Sequence, residues 1–329
     1  MIPPTWPGRS RPGGLMSRTL ADPSRVMVDF AAYLVVRVVV AVIQVLPTDM
    51  GGNLCRSLAA GCQRAGIRRT TTHRNLDRHL PNLRDESRRA FERRMWHSLL
   101  LTVCEVAWTS RRLHRANWAR HVNFHGNRLL LDRLLSDRPA IVVTGHFGNF
   151  EVGGYVMGLM GFETLSIARR LDNRFLHDWL VSFRERRGQR LVDKNGCADA
   201  VESHLAAGGV LTLLADQHAG EKGCWVNFLG RPASCHKALA LFSLSTDAPM
   251  AVVGTVRRSP MQLTAVVAGA VDPTSPEDAE AVGGVKPLTE WYNDRLGEVI
   301  LRHPEQYWWL HNRWRKPPPK VAKRLARAA

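Results

Sequence analysis

One short stretch limits what the chain can become: Pro139-Ala-Ile-Val-Val-Thr-Gly-His-Phe-Gly-Asn-Phe-Glu151. Residues 140–143 are small or β-branched and apolar, bounded by Pro139 and Gly145. An apolar run without alternation predicts a strand covered on both faces, as in a parallel sheet. Thr144, His146, Asn149 and Glu151 arrive together where that strand ends, and 150–160 reads as the helix that follows. Open α/β sheets place their chemistry at such strand ends.

His146 and Glu151 stand five apart, and on one regular helix about 500° of rotation would leave them about 140° apart. With His146 in the loop and Glu151 on the first helical turn, the loop can fold the imidazole back onto the carboxylate. Such a pair makes a base. The carboxylate fixes the tautomer through one ring nitrogen, and the other nitrogen takes a proton from a hydroxyl. The competing reading is structural, with a histidine capping a helix and a glutamate answering its dipole. Spacing alone does not choose between them.

The stretch sits in an α/β rhythm. Strands are expected over 121–124, 163–168, 189–192, 210–215, 225–229, 250–256 and 263–270, with helices over 128–135, 175–187, 198–207, 237–245 and 288–302. Alternating elements on short connections predict an α/β fold, with a central mostly parallel or mixed sheet covered by helices. Upstream, 48–120 is helical; its strongest piece, 86–113, repeats Phe91, Met95, Leu99, Val103 and Val106 at steps of three and four.

Residues 30–46 form an apolar run broken by Arg37 and Gln44 and stopped by Pro47. A single anchor, a helix lying in the headgroup plane and a core helix all remain open, with membrane association expected. The resulting division is a disordered basic leader at 1–25, an anchor or interfacial helix at 26–47, one large domain at 48–315 and a basic tail at 316–329.

Forty-six basic against 29 acidic residues give a net charge of +17. Such an excess favours an anionic partner: nucleic acid, a phospholipid surface, a phosphorylated ligand or an acidic carrier protein. No nucleic-acid reading module is recognisable, so no specific nucleic acid is expected. The six cysteines are scattered without a CxxC pair, which predicts reduced thiols and no metal site.

Two further strands end in polar residues. The strand at 163 runs into Arg169-Arg170, and the strand at 210 into Asp216-Gln217-His218. Arg170 is a fixed cation suited to an oxyanion or a phosphate, and Asp216 could orient it. A buried structural ion pair is the alternative.

On these residues the chain resembles the lipid A biosynthesis acyltransferases, the lauroyl and myristoyl transferases within the wider lysophospholipid acyltransferase superfamily. The matching pieces are Gly145-His-Phe-Gly-Asn-Phe-Glu151, Arg170-Leu-Asp-Asn173, Arg184-Glu-Arg-Arg-Gly188, Leu214-Ala-Asp-Gln217, Val226-Asn-Phe-Leu-Gly-Arg-Pro232 and Pro304-Glu-Gln-Tyr-Trp-Trp-Leu-His-Asn-Arg-Trp314. The first is a relative of the His-x4-Asp motif of glycerolipid acyltransferases, with Glu for Asp. Asn312 departs from the family, which often has Arg there. The resemblance implies a membrane-associated enzyme on the cytoplasmic face of the inner membrane. It would move an acyl chain from acyl carrier protein or coenzyme A to a glycolipid hydroxyl, with no cofactor. The acceptor would be a lipid A precursor, or another glycolipid such as a phosphatidylinositol mannoside. His146 would be the base and Glu151 its partner. Arg170, Asp216, Asn149 and Gln217 would support the oxyanion or bind substrate, together with backbone N–H groups of 145–148. Without a Ser or Cys nucleophile motif, no acyl-enzyme is expected.

Overall fold

The computed structural model describes residues 23–81 and 83–328, so most of the expected leader lies outside the described residues. Four helices come first: α1 (Pro23–Val45), α2 (Thr48–Arg64), α3 (Arg69–His79) and α4 (Asp85–Arg112). Next come β1 (Val122–His125), α5 (Asn127–Leu134), β2 (Ala140–Thr144), α6 (Phe150–Leu159), β3 (Thr164–Ala168), α7 (Arg174–Glu185) and β4 (Gln189–Asp193). The chain continues with α8 (Ala198–Ala206), β5 (Val210–Leu214), β6 (Cys224–Phe228), β7 (Arg231–Cys235), α9 (Ala238–Thr246), β8 (Met250–Ser259) and β9 (Gln262–Val271). It closes with α10 (Ala279–Val282), α11 (Val285–Arg302), an aromatic segment at 304–314 and α12 (Pro319–Ala328).

Among the described residues, seven strands form one sheet in the order β1-β9-β8-β2-β5-β3-β4. The neighbours from β8 through β2, β5 and β3 to β4 are parallel, whereas β8 and β9 pair antiparallel. This is the mostly parallel mixed sheet expected from the rhythm. β2 lies at its centre, and its period of two sends alternate side chains to opposite faces. Ile141 and Val143 enter the core shared with Leu239, Leu296, Ile300 and Trp309. Ala140 and Val142 pack on the other face with Leu130 and Val210. Burying a side chain the size of Ile141 or Val143 contributes about 1.5–3 kcal/mol.

The expected strand over 225–229 does not join this sheet. It pairs as β6 with β7 in a separate antiparallel ribbon. The connecting residues Leu229 and Gly230 have φ of 53° and 77°. Two positive φ values mark the primed hairpin turn, whose usual sequence is Asn-Gly or Asp-Gly. A leucine in the first place disguises it.

α1 lies along the body rather than projecting from it. Gln44 donates to Ala107 O at 3.1 Å and to Ser110 Oγ at 3.0 Å, and Asn173 donates to Asp29 O at 2.7 Å. Val40 and Ile43 are buried, while Met27, Val28, Leu34, Val35, Val38, Val42 and Val45 are exposed. α1 is long and apolar enough to cross a membrane.

Deeper in, a buried carboxylate fastens α4 to the sheet. Glu105 accepts from Arg257 Nε at 2.9 Å and Nη2 at 2.8 Å, from Asn149 Nδ2 at 2.7 Å and from the Met261 N–H at 3.0 Å. Arg257 also donates to Ser98 Oγ at 2.7 Å and Thr102 Oγ1 at 2.9 Å. Removing one member strands the other charge in the interior, at a cost of about 3–5 kcal/mol. The Glu105→Ala variant is therefore expected to lose about that much in a denaturant-unfolding experiment. A midpoint unchanged from the parent protein would contradict this role.

Candidate active site

β2 and β5 run side by side, and their last registered pair is Thr144 with Leu214. Two residues further along each chain stand His146 and Asp216. The register therefore brings an imidazole and a carboxylate together across 70 residues of sequence. Asp216 Oδ1 lies 2.8 Å from His146 Nδ1, and Asp216 Oδ2 accepts the His146 backbone N–H at 3.0 Å. The carboxylate is an acceptor, so Nδ1 carries the hydrogen and Nε2 keeps a free lone pair. Nε2 is met by Gln217 Nε2 at 3.3 Å.

The ring is held on its faces as well as its edge. Trp308 lies nearly parallel to it, with centroids 4.8 Å apart and 13° between planes, and Phe150 meets it edge-on at 5.0 Å. The Trp308 N–H donates to His146 O at 3.2 Å. An aromatic face against imidazole favours its protonated form.

Burial alone would lower the His146 pKa, but the Asp216 charge and hydrogen bond, with Glu151 beyond them, outweigh it and raise the value above 6.5. For Asp216, burial pushes the carboxyl up. The charge and hydrogen bonds of His146, with Arg313 behind, hold it below its ordinary value. Arg313 is itself buried, donating to Ser234 O and to Cys235 Sγ, with its guanidinium 5.0 Å from the Phe228 ring centroid.

Several expected roles change. Glu151 does not hold the imidazole: it forms a forked pair with Arg184, whose Nε donates to Oε2 at 3.0 Å. The five-residue spacing sets Glu151 on the first turn of α6, turned toward α7, and leaves Nδ1 to a carboxylate from the neighbouring strand. Asp216 does not orient Arg170, which is exposed at the end of β3 and has no hydrogen bond or ion pair among the described residues. Arg170 does stand level with Asp216 if the Ser166–Thr212 register is carried on. Asn149 is buried behind the site, where it caps α6 by accepting from Val152 N at 3.1 Å and donates to Glu105. Three of the four expected backbone donors are committed within the protein, as is the next one along. His146 N–H goes to Asp216, Phe147 to Gly145 O, Gly148 to Gln306 O and Asn149 to Thr255 O.

Gly148 makes the tight turn possible. Its φ is +54°, and a Cβ there would run into the Thr255 carbonyl oxygen. Sequence reasoning assigned no role to Trp308 or Arg313, although both lie in the closing aromatic motif. Asn312 in the same motif accepts from Arg74 Nη2 at 2.8 Å; an arginine in its place would meet a like charge there.

Three comparisons bear on this geometry. A family model described as bacterial lipid A biosynthesis acyltransferase matches residues 21–316. The lipid A biosynthesis lauroyltransferase of Escherichia coli (strain K12) is 25% identical over 77% of this chain and 80% of its own. The lipid A biosynthesis palmitoleoyltransferase of the same organism is 25% identical over 76% and 80%. The crystal structure of the 1-acyl-sn-glycerophosphate acyltransferase PlsC from Thermotoga maritima covers 82% of this chain at 13% identity, with a TM-score of 0.36, too low to carry an argument.

The raised His146 pKa has a kinetic signature. If His146 acts as a base it must be unprotonated, so kcat/KM is expected to rise with pH through a midpoint above 6.5. Asp216→Asn removes the charge that raises it and leaves burial, so the limb moves to lower pH while the rate falls. A limb unmoved by this substitution would show that Asp216 does not control the imidazole. Gly148→Ala is expected to cost activity by displacing the turn, read as lower kcat in protein that still binds membranes.

Proposed function

The chain belongs to the bacterial lipid A biosynthesis acyltransferase family, and from that premise we propose that His146 is the general base of its acyl transfer. The family makes it a membrane-associated O-acyltransferase with a glycolipid acceptor and an acyl donor. His146 Nε2 takes the proton of the acceptor hydroxyl as its oxygen attacks the thioester carbonyl. A C–O bond forms, the carbonyl becomes a tetrahedral oxyanion, and its collapse breaks the C–S bond. The leaving thiolate recovers the proton from the imidazolium. Asp216 fixes the ring and offsets its charge, in the role that the aspartate plays in a serine triad. The observation that carries this reading is the Asp216–His146 hydrogen bond, which puts the ring hydrogen on Nδ1 and leaves Nε2 as the basic nitrogen. Gln217, already beside Nε2, is the side chain placed to hold the oxyanion. Arg170, at the same sheet edge, would bind the charged part of a substrate. Glu151, held by Arg184, adds negative charge near the imidazolium.

The donor is proposed to be an acyl carrier protein or coenzyme A thioester, with no further cofactor. The work is proposed to take place on the cytoplasmic face of the inner membrane. α1 would lie in the headgroup plane: it is fastened to the body near both ends and turns one apolar face outward, the form of an interfacial helix. Arg37, exposed near its middle, could then extend its head to water.

His146→Ala is expected to lower kcat by about 10²–10⁴-fold while the protein still sediments with membranes. Glu151→Gln should cost less than Asp216→Asn. If Glu151→Gln matches His146→Ala while Asp216→Asn stays active, the two carboxylates have been assigned the wrong way round. Mass spectrometry of lipid A from cells with and without the gene, followed by transfer assays with carrier-protein and coenzyme A thioesters, tests acceptor and donor. A burst of acyl-enzyme would rule out the direct route.

A further inference from the structure

A concentration of positive charge outside the catalytic edge lies in a cleft of about 520 Å³ between the end of α2, α3 and the first half of α4. Arg64, Arg69, Arg88, Arg89 and Arg93 line it. Two carboxylates meet this group: Glu92, on the cleft wall, contacts His73, which also lines the cleft, and Asp77 pairs with Arg88 at 2.7 Å. Among the described residues Arg64, Arg69, Arg89 and Arg93 have no carboxylate partner. Arg69 is oriented by donating to Gln63 O at 2.7 Å.

Guanidinium groups gathered this closely repel one another, so the empty cleft is electrostatically unfavourable and an anion relieves it. The Nε of Arg88 is buried without a hydrogen-bond partner. Planar guanidinium forks match the oxygens of a phosphate, which arginine binds in bidentate fashion. The volume lies within the range of small-molecule sites, about 300–1,000 Å³, and exceeds what one phosphate needs.

We propose that this cleft is a phosphate site, taking a phosphomonoester or diphosphate group carried by a lipid headgroup or by a soluble molecule. It is separate from the catalytic edge. Arg93 and Thr102 are nine residues apart on α4, about 14 Å along the axis, and it is Thr102 that donates to Gly148 O at 3.0 Å beneath the catalytic loop. The cleft therefore grips a charged end while leaving His146 free, and it does so whether or not the acyl-transfer assignments above are right.

The test uses the full chain in neutral detergent, with pyrophosphate as the soluble probe in calorimetry and phosphatidic acid in phosphatidylcholine vesicles as the lipid probe. Arg69→Gln/Arg89→Gln/Arg93→Gln alters three exposed side chains of the cleft. Arg111→Gln/Arg115→Gln/Arg120→Gln removes the same charge elsewhere. The cleft variant is expected to lose about tenfold or more in pyrophosphate affinity, as befits lost charge-assisted bonds, while the charge-matched variant changes less than about twofold. If the triple variant fails to fold, Arg89→Gln/Arg93→Gln carries the same expectation. Vesicle binding that falls in the cleft variant and is competed by pyrophosphate identifies the lipid headgroup as the source. Pyrophosphate binding with vesicle binding unchanged identifies a soluble ligand. Equal losses in both variants would overturn the site as mere net charge. Absent pyrophosphate binding together with vesicle binding that the cleft variant leaves intact would also overturn it.

Discussion

Glu105 is the point on which the catalytic edge hangs. One buried carboxylate gathers α4, the end of β8, the β8–β9 turn and the cap of α6. A lone carboxylate in the interior would be prohibitive. With arginine, amide and backbone donors around it, the desolvation is offset, and the pair fixes where each partner must sit. Because Asn149 is both the α6 cap and a donor to Glu105, the loop carrying His146 inherits its position from a helix formed more than 40 residues earlier. Preorganisation of this kind matters more than strength: a base displaced by about 1 Å loses much of its effect.

How much of this was legible in the sequence depends on how far apart the partners lie. β2 was readable because its signal is local: four apolar residues, a proline before and a glycine after. The convergence of polar strand ends was readable too, since β2, β5 and β3 prove to be adjacent. What could not be read was register. Whether His146 would meet Glu151 or Asp216 turns on Thr144 facing Leu214, and no pattern along the chain states that. Asp216 was expected to orient Arg170, whereas its partner is His146, with Arg313 contributing only at a distance. Arg170 comes from a strand next door, whereas Arg313 arrives from the closing segment by packing under β6 and β7.

Asn149 and Trp308 show two further limits. A polar residue in a motif can be buried for support, as the hydrogen bonds of Asn149 show. An aromatic in a run of aromatics carries no mark of which one will lie against an imidazole. Composition gave +17 without saying where it collects. The fold places part of it in the arginine cleft, beside a helix that also buttresses the catalytic loop.

That Trp308 closes over His146 has a consequence in time. A chain emerging from the ribosome presents α1 long before the aromatic segment, which follows about 270 residues later, or roughly 15–50 s at ordinary elongation rates. Until then the histidine lacks the ring that covers it and the backbone donor on its carbonyl. Asp216 also lacks the buried arginine behind it. The contacts that fix His146 are thus completed only once that late segment has been made.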